Sequence, residues 1–422
     1  MLGFSITWFI VLITIGLIFS FTNQDRKLQK VLFIALAFRL ALMIIDTWIW
    51  PDLPYLTAAD ASRFQRRAVA FSQLGLSELI TWPLPGGAGL FAYFMGTVYA
   101  LVGSDESTII RAINILAGVF SVYNVFHISQ MLWTRKIALQ NAFILALFPL
   151  LAVYAQNLLR EAFVVYFLTL GIRYYVSWIK LKRIHHIALA VVGFGLSTAL
   201  HMGALMALLG LGVYQVWLIM TSLAKGRIIM FLSSAVAILI VGVGLHYLNT
   251  TGWGLSTIGG EGAISEFGVE ELIIERGGED RKGRASYLQG LGASNPVDVI
   301  WQTPLRGVYF LFAPMPWMIG SIWDVVGLID GLLYFLVFFG IYKSFPVIRK
   351  DPAALALLVM LLGMIVAFAW GVTNYGTGMR HRAKIISLAI CLTPYLFPLR
   401  KLVQSKVKKG LEVVYTSKLF HP

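Results

Sequence analysis

Apolar residues run along this chain in long blocks separated by short polar turns. Blocks of roughly seventeen to twenty-five residues are what a helix rising 1.5 Å per residue needs to cross a hydrocarbon core about 30 Å thick. They fall at 4–21, 30–49, 109–133, 137–154, 161–178, 187–201, 204–222, 228–248, 325–343, 353–373 and 383–398, and they predict an all-α polytopic membrane protein with about 11 transmembrane helices. A shorter run at 88–103 follows Pro83, Pro85, Gly86 and Gly87 and reads as an interfacial helix. Counting it as a span would reverse every later turn and put the basic clusters at Arg135–Lys136, Lys180–Arg183, Lys225–Arg227 and Lys343–Lys350 outside, against the excess of Lys and Arg that cytoplasmic turns carry. The N-terminus is therefore read as outside and the C-terminus as cytoplasmic. The first block has no basic leader before it and no small-residue cleavage site after it, so it is expected to be a span and not a signal peptide. The whole chain, 1–422, is read as one transmembrane domain with outside loops at 50–108 and 249–324 and a basic cytoplasmic tail at 399–422.

Composition narrows the class further. With 58% hydrophobic and 13% charged residues, the chain cannot be a soluble enzyme, a disordered segment or a disulfide scaffold. The single cysteine, Cys391, sits in an apolar run and has no partner for an internal disulfide. A net charge of +14 would point to nucleic acid in a soluble protein. Here most of the Lys and Arg fall in turns read as cytoplasmic, so the charge is a topology signal, membrane lipids are the surroundings and no nucleic-acid partner is implied.

The charges left outside are the candidates for chemistry. Asp60, Phe64 and Ala68 recur at i, i+4 and i+8 and share a helical face. A partly desolvated carboxylate there suits a general base for a hydroxyl, and Arg63 lies one turn on; a charge at a helix N-terminus is the plain alternative. Arg160 and Glu161 occupy a short outside turn, where they either neutralise each other or serve a site, Arg160 gripping phosphate and Glu161 orienting a second group or a cation. Arg380, His381 and Arg382 follow Asn374-Tyr-Gly-Thr-Gly-Met in the turn before the last block. Guanidinium forks match phosphate oxygens, glycines admit backbone to a ligand, and the alternative partner is the acidic stretch from Glu261 to Asp280. His201 ends a block on the same side. Within the blocks, Arg39 should face the bundle interior, with Asp46 or Asp330 as its partner, and Arg173 can snorkel inward. No metal-ligand spacing or phosphate-binding glycine loop occurs.

The order of these features over residues 30–180 resembles the GT-C superfamily of membrane glycosyltransferases. Asp60 with Phe64, the proline-rich entry Pro83-Leu-Pro-Gly-Gly, the segment Gly103-Ser-Asp-Glu-Ser to Arg111-Ala-Ile-Asn114, and Phe148-Pro149 to Tyr154 leading into Arg160-Glu161 carry the likeness. It is similar above all to the bacterial family that includes lipid A aminoarabinose and dolichyl-phosphate-mannose-like transferases. Phe64 stands where that family usually has tyrosine, no paired acidic motif flanks Asp60, and there is an extra N-terminal span. The resemblance implies a hexosyl- or pentosyltransferase of the bacterial inner membrane. Its donor would be a polyprenyl-phosphate-linked sugar, with a divalent cation as the only candidate cofactor, and its acceptor a glycan or lipid outside the cytoplasm. Asp60 and Glu161 would be the catalytic carboxylates, with Arg160, Arg380, His381 and Arg382 on the donor phosphate. Repeat-unit polymerases of O-antigen or exopolysaccharide share the plan. A flippase of lipid-linked oligosaccharide is the competitor from another class, and it would show more ionisable groups at mid-membrane. A structural or assembly subunit of an envelope complex is the third reading: it would leave Asp60 and Arg382 far apart, where an enzyme would hold them within one outer cavity.

Overall fold

The structure, a computed structural model, describes residues 2–51, 59–183, 185–223, 284–291 and 295–394. Asp52, the expected span at 228–248, the segment 249–283 with its acidic stretch from Glu261 to Asp280, and the basic tail lie outside the described residues. The described chain is helical throughout, apart from an isolated bridge between Ser286 and Asn374.

Two long helices, α1 (Leu2–Thr22) and α2 (Arg26–Ile44), form an opening hairpin; a π-helical turn, Ile45–Ile49, extends α2. Asp25 caps α2 by accepting from the Leu28 amide at 3.0 Å. Three short helices follow at one end of the bundle: α3 (Ala59–Gln73), α4 (Leu76–Thr81) and α5 (Ala88–Val102). Ile80, at the end of α4, and Trp82 and Leu84, between α4 and α5, are exposed. Next come α6 (Ser107–Leu132), then α7 (Arg135–Ala146) and α8 (Pro149–Ala155), then α9 (Glu161–Leu181). The expected single span at 137–154 is bent by 63° between α7 and α8. Pro149 has no amide hydrogen to continue α7 and its fixed φ opens α8 instead.

After α9 the chain turns through α10 (His185–Leu200), a 3₁₀ turn at Met202–Ala204 and α11 (Leu205–Leu223). Later in the chain come α12 (Pro296–Phe312), α13 (Ile322–Ile348), α14 (Pro352–Gly371), α15 (Tyr375–Arg382) and α16 (Ile386–Cys391). Among the described residues six helices are long and apolar enough to cross a membrane, and a seventh span results if the bent pair is one. Of the expected block at 383–398, the described residues end at 394 and form a helix over Ile386–Cys391.

Glycines bring neighbouring helices close. A Cβ on Gly193 would stand 2.6 Å from the Gly171 nitrogen, and one on Gly210 would stand 2.7 Å from the Val359 oxygen. These contacts clamp α10 to α9 and α11 to α14, the close backbone approach that small residues permit between apolar helices. The interior core runs between α2, α6, α7, α9 and α14, through side chains such as Leu32, Val119, Leu168 and Met360.

Arg39 is fully buried, but it meets neither Asp46 nor Asp330. Its Nη1 donates to Ala35 O at 3.0 Å and to Ala146 O at 2.9 Å, so it satisfies a carbonyl that the α7–α8 break leaves free. Asp46 pairs with Arg111, and Asp330 with Arg382.

Polar contacts sort to the two ends of the bundle. One end carries Asp25 with Arg135 and Lys180 with Asp351, among the turns rich in Lys and Arg. The other gathers the start of α3, the Gln156–Arg160 turn, the end of α10 and α15.

Candidate functional site

Arg380 is the hub of the second end. Its Nη1 donates to the Asp60 carboxylate and its Nε to Glu161 Oε1 at 2.6 Å. Lys384 Nζ reaches the same Glu161 oxygen at 3.2 Å and also donates to His381 Nδ1 at 3.2 Å. Two carboxylates and two cations, drawn from α3, α9 and the α15 segment, thus form one continuous ion-paired chain.

Each member is positioned by its own element. Asp60 sits in the first turn of α3, which Phe64 and Ala68 seat against α5; Phe64 meets Phe91 ring to ring at 5.3 Å. The expected shared face of Asp60, Phe64 and Ala68 therefore splits in use, its apolar members packed and its carboxylate 40% exposed at the rim. Arg63 lies 3.7 Å from Asp60 Oδ1 and is largely in solvent.

Glu161 opens α9 and is completely buried. The irregular turn before it is held by Asn114, whose Nδ2 donates to the carbonyls of Asn157 and Leu159. Arg160 Nη1 donates to Leu200 O at 2.7 Å; its Nε and Glu161 Oε2 are buried with no hydrogen-bond partner among the described residues.

Asn374 caps α15 by accepting from Gly376 N at 2.8 Å. The strap at 284–291 ties that cap down: Tyr375 N donates to Ala285 O and Tyr287 N to Thr373 O, both at 3.0 Å. Arg284 and Tyr375 both bond the Asp324 carboxylate, and burial raises the Tyr375 phenol.

His201 and His381 stand ring to ring at 5.1 Å. Burial first, and then the Lys384 ammonium, hold both imidazoles well below the usual histidine range, so both are neutral. His381 accordingly offers Lys384 an acceptor and brings no charge of its own. Burial also lowers the Lys384 amine to about 7, partly offset by Glu161 and reinforced by Arg380 and Arg160.

The structure separates the residues expected on the donor phosphate. Arg380 joins Asp60 and Glu161, and Arg160 lies close enough to feel all three charges. Arg382 does not join them, so the expectation that Asp60 and Arg382 share one outer cavity is not met; it is Arg380 that meets Asp60. It is completely buried, its Nε donating to Asp330 Oδ2 at 2.9 Å and its Nη1 to Ala313 O at 2.7 Å and Leu311 O at 3.1 Å. Positions two apart on a helix point to opposite sides, so Arg380 and Arg382 cannot serve one cavity. Lys384, four residues beyond Arg380, returns to the Arg380 side. That spacing was readable, but Lys384 reads as the edge of an apolar block.

Among the described residues this donor set is occupied by the chain's own cations. Arg380 bridges the two carboxylates, Lys384 takes the same Glu161 oxygen, and the described residues contain no group of three or more His, Cys, Asp or Glu that could hold a metal. The cations at Glu161 are those of the chain itself.

No protein-family model matches this chain, and no curated protein matches it. Among solved structures it is similar to the archaeal oligosaccharyltransferase AglB from Archaeoglobus fulgidus, a membrane glycosyltransferase of the GT-C class. With the complex of that enzyme with an inhibitory peptide and a dolichol-phosphate, it shares 12% identity over 88% of this chain, at a TM-score of 0.50. A second structure of that enzyme, with Zn and sulfate, aligns over 91% of this chain at 12% identity and a TM-score of 0.49. The chain spans about half the length of that protein, 50% and 51% in the two cases. The likeness is one of fold.

Proposed function

We propose that this chain is an inverting glycosyltransferase that moves a sugar from a polyprenyl-phosphate or -pyrophosphate donor to a cell-envelope glycan or lipid on the extracytoplasmic face of a bacterial inner membrane. The carrying observation is the ion-paired chain Asp60–Arg380–Glu161–Lys384, assembled from three distant segments at one end of the bundle. The chemistry asks for little else. The half-exposed Asp60 carboxylate takes the proton of the acceptor hydroxyl as that oxygen attacks C1 of the sugar. The C1–O bond to phosphate breaks on the opposite face, and its electron pair leaves with the lipid phosphate. Arg160, Arg380 and Lys384 stabilise the charge that develops there, and buried Glu161 fixes Arg380 and Lys384 in place. The products are the new glycoside, the lipid phosphate and a protonated Asp60.

The basic turns at Arg26–Lys30, Arg135–Lys136, Lys180–Arg183 and Lys343–Lys350 lie at the end opposite this cluster and support a cytoplasmic assignment for that end, with the N-terminus outside. Lipids extracted from a strain lacking the gene test the reading. Accumulation of a polyprenyl-linked sugar together with undecorated acceptor is expected, and an unchanged lipid pool contradicts it. Accumulation of complete lipid-linked repeat units would instead identify a polymerase.

A further inference from the structure

The proposed chemistry uses one end of the bundle; a second polar cluster lies toward the other, between α6 and α9. Asn124 on α6 is 1% exposed and both halves of its amide are engaged. Its Nδ2 donates to Thr169 Oγ1 at 3.3 Å, and its Oδ1 accepts from Arg173 Nη1 at 3.3 Å. The Arg173 guanidinium is thereby steered over the ring of Tyr123, 5.0 Å from its centroid, with the Tyr174 ring 5.6 Å away. His127 packs edge-on against the same Tyr123 ring at 4.4 Å, and its buried Nε2 has no hydrogen-bond partner among the described residues. Two nitrogen groups able to donate thus border one aromatic ring.

Charge at this end is one-sided. Among the described residues no carboxylate pairs with Arg173: the two acidic residues here, Asp25 and Asp351, are bonded to Arg135 and Lys180. The charges of Arg183 and His185, with that of Arg173, act together on His186, whose Nδ1 bonds Ser177. Lys182 adds to the surplus at the end of α9.

Depth fits a headgroup. Arg173 stands eight residues before the end of α9, roughly 12 Å along the axis, and His127 five residues before the end of α6, roughly 8 Å. A long basic side chain at that depth reaches the level of lipid phosphate. Basic groups between helices on the cytoplasmic side, oriented and without a counter-ion, are what an anionic headgroup recognises.

We propose that Arg173 and His127 form a binding site for the phosphate of an anionic phospholipid in the leaflet opposite the catalytic end, with Asn124 and Tyr123 as positioning residues. The test uses the full chain in nanodiscs, released for native mass spectrometry, with phosphatidylglycerol against phosphatidylcholine and with inorganic phosphate as competitor. The wild-type chain is expected to retain phosphatidylglycerol over phosphatidylcholine by about tenfold, the scale of one charge-assisted hydrogen bond. Arg173→Gln should abolish that preference and His127→Leu should weaken it, while Lys182→Gln, on the neighbouring turn, should keep it. Equal retention of the two lipids by the wild-type chain, or an undiminished preference in Arg173→Gln at unchanged thermal stability, overturns the site. Displacement of the retained lipid by inorganic phosphate overturns its assignment to a lipid headgroup. Because the cluster is remote from Asp60, a failure here leaves the glycosyl-transfer reading untouched, and the reverse holds too.

Discussion

Lys384 and Arg382 illustrate how two cations in one short segment acquire opposite roles. Lys384 is buried against Glu161 and its amine is lowered to about 7 by that burial, so its charge is present below neutrality and lost as pH rises through that value. If it grips the donor phosphate, the KM for donor should rise between about pH 6 and pH 8. Lys384→Arg keeps its charge throughout this range and should flatten that limb, which initial rates at varied donor concentration will show. A KM that stays flat in the wild-type chain removes Lys384 from donor binding. Arg382 behaves differently because it is fully buried with Asp330 and two backbone carbonyls. Arg382→Ala strands the Asp330 carboxylate and should cost about 3–5 kcal/mol of stability, with little change in donor KM for the protein that remains folded. Thermal unfolding in detergent checks this; a selective loss of donor affinity at full stability would restore Arg382 to the site.

At the scale of elements, six of the eleven expected spans appear as spanning-length helices among the described residues, because apolar length is a strong signal, and the details that failed there are backbone effects. The run at 137–154 reads as one span, yet Pro149 divides it, and Arg39 donates to a carbonyl near the break and not to a carboxylate. Hydropathy counts residues; it does not register where the hydrogen-bond ladder stops. Helix contacts were equally hidden, since a glycine in an apolar block looks neutral until its neighbour is known. Gly193→Val should drive a side chain into the Gly171 backbone and cost about 1–3 kcal/mol, whereas Gly195→Val, with open space around its Cβ, should be nearly silent. Paired unfolding curves of the two variants decide the matter. Equal stabilities would mean that α9 and α10 are not clamped at this glycine.

For the whole molecule, the sequence exposed candidate charges but not their pairing. Asp60, Glu161 and Arg380 stand out because charges beside apolar blocks at the outer turns are conspicuous, and the structure brings these three together across 320 residues of chain. What composition and spacing leave open is orientation around a helix: Arg382 looked equivalent to Arg380, and Lys384 looked like the edge of a span. The same gap hid the Arg173 cluster, which needs α6 and α9 side by side before Asn124, His127 and Arg173 mean anything together. The fold is shared with an oligosaccharyltransferase about twice as long, so activity rests on the site itself. The most direct measurement is transfer of labelled sugar from a polyprenyl-phosphate donor by the full chain in liposomes, with Asp60→Asn beside the wild type. A carboxamide keeps the shape but cannot take the acceptor proton, and a general base contributes about 10²–10⁴-fold. A loss of turnover of that size at unchanged folding is predicted; near-normal turnover in Asp60→Asn contradicts the account.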